Sequence, residues 1–284
     1  MPSAKAILHG AVSIVNAIAT GKGATLGISL KVEATVEATP GTGIFFEDKE
    51  SSFSSRLIRA VVDKAVPKNE LEKSKLNISL KSEIPSGYGL KSSSAISSII
   101  SLACAKIFKP QVNDLEVLRH GVEASIESRV SITGAFDDAC ACYFGGFVVT
   151  DNYNKRIVKS EKAPDDLSAV IFVPRSRKRG NIKKLKVLDS VFAQAWTLAN
   201  NSNYWNAMLL NGLATSTILR SDPRILTNLI EAGALAASVS GNGPSIAAIA
   251  KKENISSVRK AFSSLDGRTI VSGINNQKAE VYEV

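Results

Sequence analysis

The sequence predicts a mixed α and β protein (fold class α+β) built as two closely packed domains. Apolar residues between positions 95 and 107 recur at the three- or four-residue spacing of a helix. Residues 28–36 alternate apolar and polar side chains, which is the period of a half-exposed strand. The chain has 284 residues, which is long for one compact domain. We therefore expect a first domain over residues 1–160 and a second over residues 161–284.

The first half of the chain is predicted to begin with strands. Residues 1–39 indicate two strands around a glycine-containing turn, and residues 40–52 a loop or hairpin. Helical spacing predicts a helix over residues 54–66, and Pro67 ends it. The other predicted elements are a strand over 76–80, a helix over 93–108, and a helix from Asn113 or Asp114 to Ser128 with an inner face of Leu115, Leu118, Val122 and Ile126.

The second half is predicted to follow a polar hairpin over residues 151–166. An apolar strand over residues 168–174 opens it, and helical spacing then predicts helices over 184–199 and 205–219. Asp222 and Pro223 indicate the start of a third helix. The remaining predictions are a strand, a glycine loop and an apolar run within 234–250, a helix over 256–265, and strands over 269–274 and 279–284.

Composition narrows the class of protein. With 44% hydrophobic and 21% charged residues, the chain can bury a core and is not disordered. Its net charge of +9 suits anionic small substrates, nucleic acid or an anionic membrane. An aromatic content of 6% argues against a single-strand-binding surface. No apolar run is long enough to span a membrane, so we expect no membrane partner. We also expect no nucleic acid partner.

Three cysteines, Cys104, Cys140 and Cys142, form no Cys-x-x-Cys pair and have no nearby histidines. We interpret them as reduced, buried thiols of a cytoplasmic protein. The fairly apolar stretch over residues 6–20 contains His9 and Asn16, which argues against a signal peptide.

A glycine- and serine-rich stretch lies between the predicted strand over 76–80 and the predicted helix over 93–108. It reads Pro85-Ser86-Gly87-Tyr88-Gly89-Leu90-Lys91-Ser92-Ser93-Ser94-Ala95. Such a loop leaves backbone N–H groups free at the positive end of a helix dipole, and both attract phosphate. The common Gly-x-x-x-x-Gly-Lys-Ser/Thr phosphate loop is absent. A plain turn before a serine-capped helix is the alternative reading.

Two adjacent aspartates, Asp137 and Asp138, lie among small and apolar residues. Burying them is unfavourable unless they bind a cation, accept hydrogen bonds or act as bases. The structural alternative is that Asp137 caps a short helix before Gly145 and Gly146.

Three further segments could meet an anion. Gly21-Lys22-Gly23 combines flexible backbone with a charge, residues 175–184 are the densest positive cluster, and Gly241 and Gly243 permit a tight loop near a ligand. An ordinary turn and a solvated basic loop are the alternatives for the first two.

Three stretches in order resemble the GHMP kinase superfamily. Residues 85–95 resemble its ATP-phosphate motif, residues 136–139 with Gly145-Gly146 resemble its aspartate segment, and residues 239–245 resemble its C-terminal glycine loop. The wording of residues 16–23, 89–95 and 133–139 is most similar to the archaeal-type shikimate kinases. Residues 9–13 depart from the family's first motif.

The resemblance implies a two-domain GHMP fold: an N-terminal mixed sheet with helices, a C-terminal split βαβ (ferredoxin-like) layer, and the nucleotide in the cleft between them. It also implies ATP-dependent phosphorylation of the shikimate 3-hydroxyl, a step of chorismate and aromatic amino-acid biosynthesis, with ATP and Mg²⁺. Another GHMP kinase (homoserine or mevalonate kinase), a non-catalytic ATP-binding sensor and a nucleic-acid-binding protein are the alternatives. A monomer and a homodimer are both compatible with the sequence.

The resemblance also implies roles for particular residues. Asp137 or Asp138 would orient or deprotonate the acceptor hydroxyl: a gapless match from Glu127 selects Asp138, and the Asp-Asn-Ala wording selects Asp137. The implied ATP-binding residues are 85–95 with Gly241 and Gly243, and the implied magnesium ligands are Ser94 and Glu127. Candidate substrate-binding residues are Asn16, Ser240 and, for the shikimate carboxylate, Lys22, Arg129 and the Arg175–Arg179 cluster, led by Arg175.

Overall fold

The structure is a computed structural model that describes residues 2–48, 53–178 and 180–284. Its described strands form one sheet of seven and one of four strands, with helices packed against both. The predicted α+β class is thereby confirmed. Among the described residues, no helix combines the length and the apolar character needed to cross a bilayer.

The first sheet is built on two long antiparallel strands, β1 (Ser3–Val15) and β2 (Lys22–Pro40). The C-terminal half of β2 pairs with β4 (Ser74–Ser82), and β4 pairs in parallel with β3 (Gly43–Asp48). The prediction of a loop or hairpin over residues 40–52 is therefore wrong for 43–48, which form a strand paired in parallel with β4. Ile44 and Phe46 alternate with polar or exposed neighbours and pack against the core, which favours a strand. Residues 49–52 lie outside the described residues.

Three more strands complete the first sheet. The N-terminal end of β2 pairs with β5 (Phe147–Asp151), which forms a hairpin with β6 (Arg156–Glu161). The last strand of the chain, β11 (Glu280–Glu283), pairs with β1. The expected boundary near residue 160 falls at the end of β6, while β11 returns the chain to the first sheet.

Helices cover the first sheet and bury its apolar face. They are α1 (Ser55–Ala65), α2 (Lys68–Leu71), α3 (Ser92–Phe108), α4 (Asp114–Glu127) and α5 (Phe136–Phe144). The Ser54 hydroxyl caps α1, and the Asn113 side chain caps α4 by accepting from Glu116 N at 3.0 Å. Cys104, Cys140 and Cys142 are buried and free, as predicted.

The predicted inner face of α4 is only half correct. Leu118 and Val122 are buried, whereas Leu115 and Ile126 are among the exposed hydrophobic residues. The reason is a close approach of α4 to α3 at Gly121, where an added Cβ would lie 3.0 Å from Ser97 Oγ. Small residues permit this contact, and it rotates the larger side chains outward.

The second sheet has the order β10 (Gly267–Gly273), β7 (Leu167–Pro174), β9 (Ile246–Lys251), β8 (Ala236–Val239), and all its pairs are antiparallel. Its helices are α6 (Asp189–Asn200), α7 (Tyr204–Leu219), α8 (Arg224–Glu231) and α9 (Ile255–Ala261). The helix predicted from residue 184 starts later, because the lysine-rich stretch Ile182–Leu188 forms a 3₁₀ helix that buries only Leu185.

The two glycine loops meet where the two sheets adjoin. The loop before α3 and the loop between β8 and β9 are joined by hydrogen bonds from Ser240 Oγ to Gly89 O (2.9 Å) and from Ser245 N to Tyr88 O (3.2 Å). Gly89 has a φ of 81°, and an added Cβ would overlap the carbonyl oxygen of Ser240. This junction needs glycine, and it brings segments about 150 residues apart to one site.

Candidate active site

The amino end of α3 has no side-chain cap. Its N-cap residue is Lys91, in the left-handed conformation with φ 68°, and the Lys91 side chain makes no capping hydrogen bond. Within the described part of the chain, no residue accepts from the N–H groups of Ser92, Ser93 and Ser94. Unsatisfied N–H groups at the positive end of a 17-residue helix attract an anion.

These N–H groups open into a cavity of about 210 Å³ between the two sheets. Ten of the predicted site residues line it: Asn16, Gly87, Gly89, Lys91, Ser92, Ser93, Ser94, Asp137, Asp138 and Gly241. The cavity therefore unites the serine loop, the two aspartates and the C-terminal glycine loop. Leu90 and Ala95 are fully buried and anchor the loop in the core.

Lys91 connects the serine loop to the aspartates. Its Nζ atom lies 2.8 Å from Asp138 Oδ1, and the Lys91 side chain is only 4% exposed. The same Nζ donates a hydrogen bond of 2.6 Å to Ser13 Oγ, from the end of β1. The buried ammonium is thus paired with a carboxylate, as a buried charge requires.

Asp137 is enclosed by the protein. Asn152 Nδ2 donates to its Oδ1 at 2.7 Å, and Thr25 Oγ1 donates to its Oδ2 at 3.2 Å. Burial, together with the neighbouring charge of Asp138, raises the pKa of Asp137 to about 7, although Lys91 acts in the opposite direction. Both oxygens of Asp137 are occupied, so this carboxyl is suited to anchoring α5.

Asp138 is the more accessible member of the pair. Its side chain is 16% exposed, and its Oδ1 accepts from Lys91 and lies 3.3 Å from Thr25 Oγ1, whose single proton is shared with Asp137. Its Oδ2 accepts no hydrogen bond from any described residue, and Asp138 lines the cavity. The geometry therefore leaves one oxygen of Asp138 available for a bound hydroxyl. The reading of Asp137 as a helix cap does not hold, because Ala135 is the N-cap residue of α5.

The C-terminal glycine loop closes the cavity from the second sheet. Gly241 N donates to Ser13 Oγ at 3.0 Å, and Asn16 Nδ2 donates to Gly241 O at 2.8 Å. Gly243, at φ 66°, precedes a cis peptide bond to Pro244. Asn16 Oδ1 also accepts from Ile18 N, so both polar atoms of this side chain are engaged with backbone. Asn16 and Ser240 hold the loops together in this structure.

A second cleft lies on the other side of the serine loop. Pro85, Ser86 and Tyr88 line it together with Arg175, Arg177 and Arg268. The Arg177 guanidinium lies 5.0 Å from the centre of the Tyr88 ring. Arg175 is highly exposed and reaches Asp266 at 3.5 Å, so the structure does not bring it to Asp138. Arg179, the end of the predicted cluster, lies outside the described residues.

The predicted pairing of Ser94 with Glu127 does not match the geometry. Ser94 lines the cavity, and its hydroxyl makes no hydrogen bond within the described residues. The Glu127 side chain is 65% exposed, and its carboxylate lies 2.9 Å from Nζ of Lys64 in α1. The last turn of α4 points Ser125, rather than Glu127, into the cavity.

The cations predicted to bind the substrate carboxylate lie in different places. Lys22 lies with its Nζ 4.7 Å from the centre of the Trp196 ring and does not line the cavity. Arg129 is exposed, has φ 59°, and directly precedes the cavity-lining Val130. Its side chain makes no ion pair or hydrogen bond with the described residues. Of the candidates, Arg129 stands nearest along the chain to the cavity wall.

Several residues of the site were not among the predicted ones. Thr25 and Asn152 hold Asp137, and the cavity is also lined by Ser13, Ala17, Ile18, Ser125, Val130, Ser131, Ile132, Thr133, Ala135 and Asn242. Ser13 lies in the string that departs from the family's first motif. Thr25 and Asn152 carry no local signal, because only the pairing of β2 with β5 brings them together.

An uncapped helix end, a buried lysine and an accessible carboxylate in one cavity are suited to the transfer of a phosphoryl group to a small molecule. Comparison with known proteins gives the same class. The family model described as "GHMP kinases N terminal domain" matches residues 56–146, and the model described as "GHMP kinases C terminal" matches residues 198–266. The chain belongs to the GHMP kinase family, and kinases of this family use ATP.

The similar proteins extend over nearly the whole chain. The shikimate kinase of Methanosarcina mazei is 38% identical over 96% of this chain and 95% of its own length. The shikimate kinase of Methanobrevibacter smithii is 34% identical over 94% of this chain and 95% of its own length. The crystal structure of homoserine kinase from Cytophaga hutchinsonii has a TM-score of 0.74 and 18% identity, covering 99% of this chain and 97% of that one. The last likeness concerns the fold alone.

Proposed function

We propose that this protein transfers the γ-phosphoryl group of ATP to the 3-hydroxyl of shikimate, giving shikimate 3-phosphate and ADP. The structural observation that carries the proposal is the Lys91–Asp138 pair, which joins the helix end suited to phosphate with a carboxylate suited to a hydroxyl. The choice of shikimate rests on the similarity to archaeal shikimate kinases over nearly the full length of both chains.

The serine loop would bind the phosphates through backbone. The N–H groups of Ser92, Ser93 and Ser94 and the dipole of α3 face the cavity, and the glycines at 87 and 89 allow close approach. Phosphoryl transfer depends mainly on positioning and charge neutralisation, which these fixed groups provide without rearrangement. Lys91 adds a positive charge beside the transferred group.

Asp138 is the residue we assign to the acceptor hydroxyl. Its free Oδ2 would accept the proton of the hydroxyl as the new O–P bond forms, while Oδ1 stays on Lys91 Nζ. Asp137 is a positioning residue in this account, because Asn152 and Thr25 occupy both of its oxygens. The two adjacent aspartates therefore have different tasks.

Magnesium would enter with ATP and neutralise part of the phosphate charge. Mg²⁺ prefers hard oxygen ligands and substrate phosphates, and the cavity offers the Ser94 hydroxyl as such a donor. Glu127 is not part of this donor set, since its carboxylate pairs with Lys64. The residues present thus fit a metal held mainly by the nucleotide.

The expected partners are ATP and shikimate, and the net charge of +9 would favour the approach of both anions. Three buried, unpaired thiols support the reducing cytoplasm as the place of action. Both monomer and homodimer remain compatible with the proposal.

An ADP-release assay with Mg-ATP tests the function directly. Shikimate, homoserine and mevalonate would be offered separately to the wild-type protein. Turnover with shikimate alone is expected. Turnover with homoserine or mevalonate instead would support kinase activity but contradict shikimate as the substrate. ATP binding without turnover on any acceptor would favour the non-catalytic sensor.

A further inference from the structure

Two aliphatic side chains stand uncovered on the wall of the cavity that holds Asp138. Val130 is 38% exposed and Ile132 is 53% exposed, and both line the cavity. Each uncovered aliphatic group forgoes about 25 cal/mol per Å² of apolar area that burial would provide. Apolar groups left open in a concave site commonly mark the place of a ligand.

The segment that carries them is held in place by its own contacts. Val130 N and Ser131 N both donate to Ser125 O, at 3.0 and 3.1 Å. Gly134 has φ 77° and lies against Val122, where an added Cβ would overlap the valine side chain. These contacts fix the segment to α4, so Val130 and Ile132 are presented to the cavity as part of the folded structure.

Two further apolar residues of the cavity lining follow β1. Ala17 and Ile18 also line the cavity and are almost buried, at 6% and 9% exposure. The cavity therefore has two chemically different parts. One is formed by Lys91 and the serine N–H groups, and the other, which we call the apolar wall, by Ala17, Ile18, Val130 and Ile132.

Val130 and Ile132 belong to the chain segment that leads to Asp138. Ile132 is six residues from Asp138 in the chain, and their segment leads directly into α5. The phosphate-binding N–H groups belong to a different helix, α3. A molecule whose hydroxyl meets Asp138 Oδ2 would therefore place its carbon skeleton beside this segment.

We infer that the apolar wall binds the carbocyclic ring of the acceptor and so selects a ring alcohol over a flexible alcohol that carries an ammonium group. This inference rests on the proposed function and specifies its substrate class. A rigid ring can cover aliphatic side chains on one face while its hydroxyls point to Asp138. An amino-acid acceptor such as homoserine would bring its ammonium group near aliphatic surface, where desolvation is unfavourable.

Threonine substitutions in the wall test the inference. Val130→Thr introduces a hydroxyl with little change of shape. Ile132→Thr also shortens the side chain, so Ile132→Val, which matches threonine in size and keeps the apolar character, is its size control. Val187→Thr is the matched control, because Val187 is 75% exposed and lies outside the cavity. Steady-state kinetics would be measured with Mg-ATP and shikimate, and thermal unfolding would establish that each variant is folded.

We expect kcat/KM for shikimate to fall about tenfold in each wall threonine variant, mainly through KM. The KM for ATP should stay within twofold of wild type, Ile132→Val should lose less kcat/KM for shikimate than Ile132→Thr, and Val187→Thr should behave as wild type. Unchanged shikimate kinetics in both wall variants would overturn the inference while leaving the proposed function intact, and so would a parallel rise in the KM for ATP. A wild-type protein that turns over only homoserine or mevalonate would overturn both.

Discussion

Lys91 Nζ and Asp138 Oδ1 lie 2.8 Å apart, and the lysine side chain that spans this gap is almost completely buried. The lysine belongs to the loop before α3 and the aspartate to the first turn of α5. One ion pair thus connects the part of the cavity suited to phosphate with the part suited to a hydroxyl.

Replacing Asp138 should abolish most turnover. Asp138→Asn removes the proton acceptor and the partner of Lys91, so kcat should fall by at least about a hundredfold. ATP affinity, measured by calorimetry, should change little, because the phosphates meet α3. Asp137→Asn is the matched neighbour and should keep kcat within about tenfold of wild type. A reversed order of the two variants would assign the base to Asp137.

Lys91 allows the charge and the backbone to be tested separately. Lys91→Ala and Lys91→Gly both remove the ammonium, so both should lower kcat about a hundredfold. Only glycine is unstrained at φ 68°, so Lys91→Gly should be more stable to urea than Lys91→Ala by about 1 kcal/mol. Equal stability of the two variants would contradict the strained conformation, and full activity of either would contradict the role of the charge.

Asp137 should make stability depend on pH. Because its pKa is raised to about 7 in the folded protein, the folded state binds a proton that the unfolded state has already lost. Stability should therefore fall as pH rises from about 4 to about 7, by up to about 1.4 kcal/mol per pH unit. Urea unfolding of wild type and Asp137→Asn across this range measures the difference.

In that experiment, the wild type should lose stability relative to Asp137→Asn as pH increases. Asp63→Asn, on an exposed position of α1, is the control and should follow the wild-type curve. A constant difference between wild type and Asp137→Asn would contradict the raised pKa of Asp137.

Gly89→Ala should damage the junction of the two glycine loops. The added Cβ would overlap Ser240 O, and the φ of 81° strains any L side chain. We expect weaker ATP binding and a loss of stability of about 1–3 kcal/mol. Gly273→Ala is the control, since its Cβ would meet only the Ser29 side chain, with Oγ at 3.3 Å. The prediction fails if the two alanine variants bind ATP equally well.

Arg129 is the cation we expect to meet the shikimate carboxylate. Arg129→Gln should lower kcat/KM for shikimate by about tenfold or more but hardly affect the neutral methyl ester. Arg175→Gln and Lys22→Gln serve as comparisons, because the structure engages these residues with Asp266 and Trp196. If kcat/KM for shikimate fell selectively in either comparison variant and not in Arg129→Gln, the carboxylate site would be assigned to that other residue.

Much of the site was predictable because its chemistry is local. The glycines of residues 85–95 and 239–245 and the adjacent aspartates are visible as strings, and the structure brings all three segments together. The failures concern contacts across the fold. Glu127 aligned with the family's pattern, but the last turn of α4 carries it to Lys64. Thr25 and Asn152 became recognisable only through the pairing of β2 with β5.

The fold was predicted where periodicity was strong. Residues 93–108 and 76–80 correspond to α3 and β4, whereas residues 43–48 are few and show no alternation of apolar and polar residues that would indicate a strand. Propensity could not show that Gly121 would draw α4 against α3 and leave Leu115 and Ile126 exposed. Tertiary packing decided that outcome.

Identification of the reaction product tests the central claim most directly. Wild-type protein would be incubated with Mg-ATP and shikimate, and the products would be analysed by phosphorus and proton NMR. The account predicts one equivalent of ADP for each equivalent of shikimate phosphorylated at the 3-hydroxyl. Release of inorganic phosphate with unchanged shikimate, or phosphorylation at another hydroxyl, would contradict it.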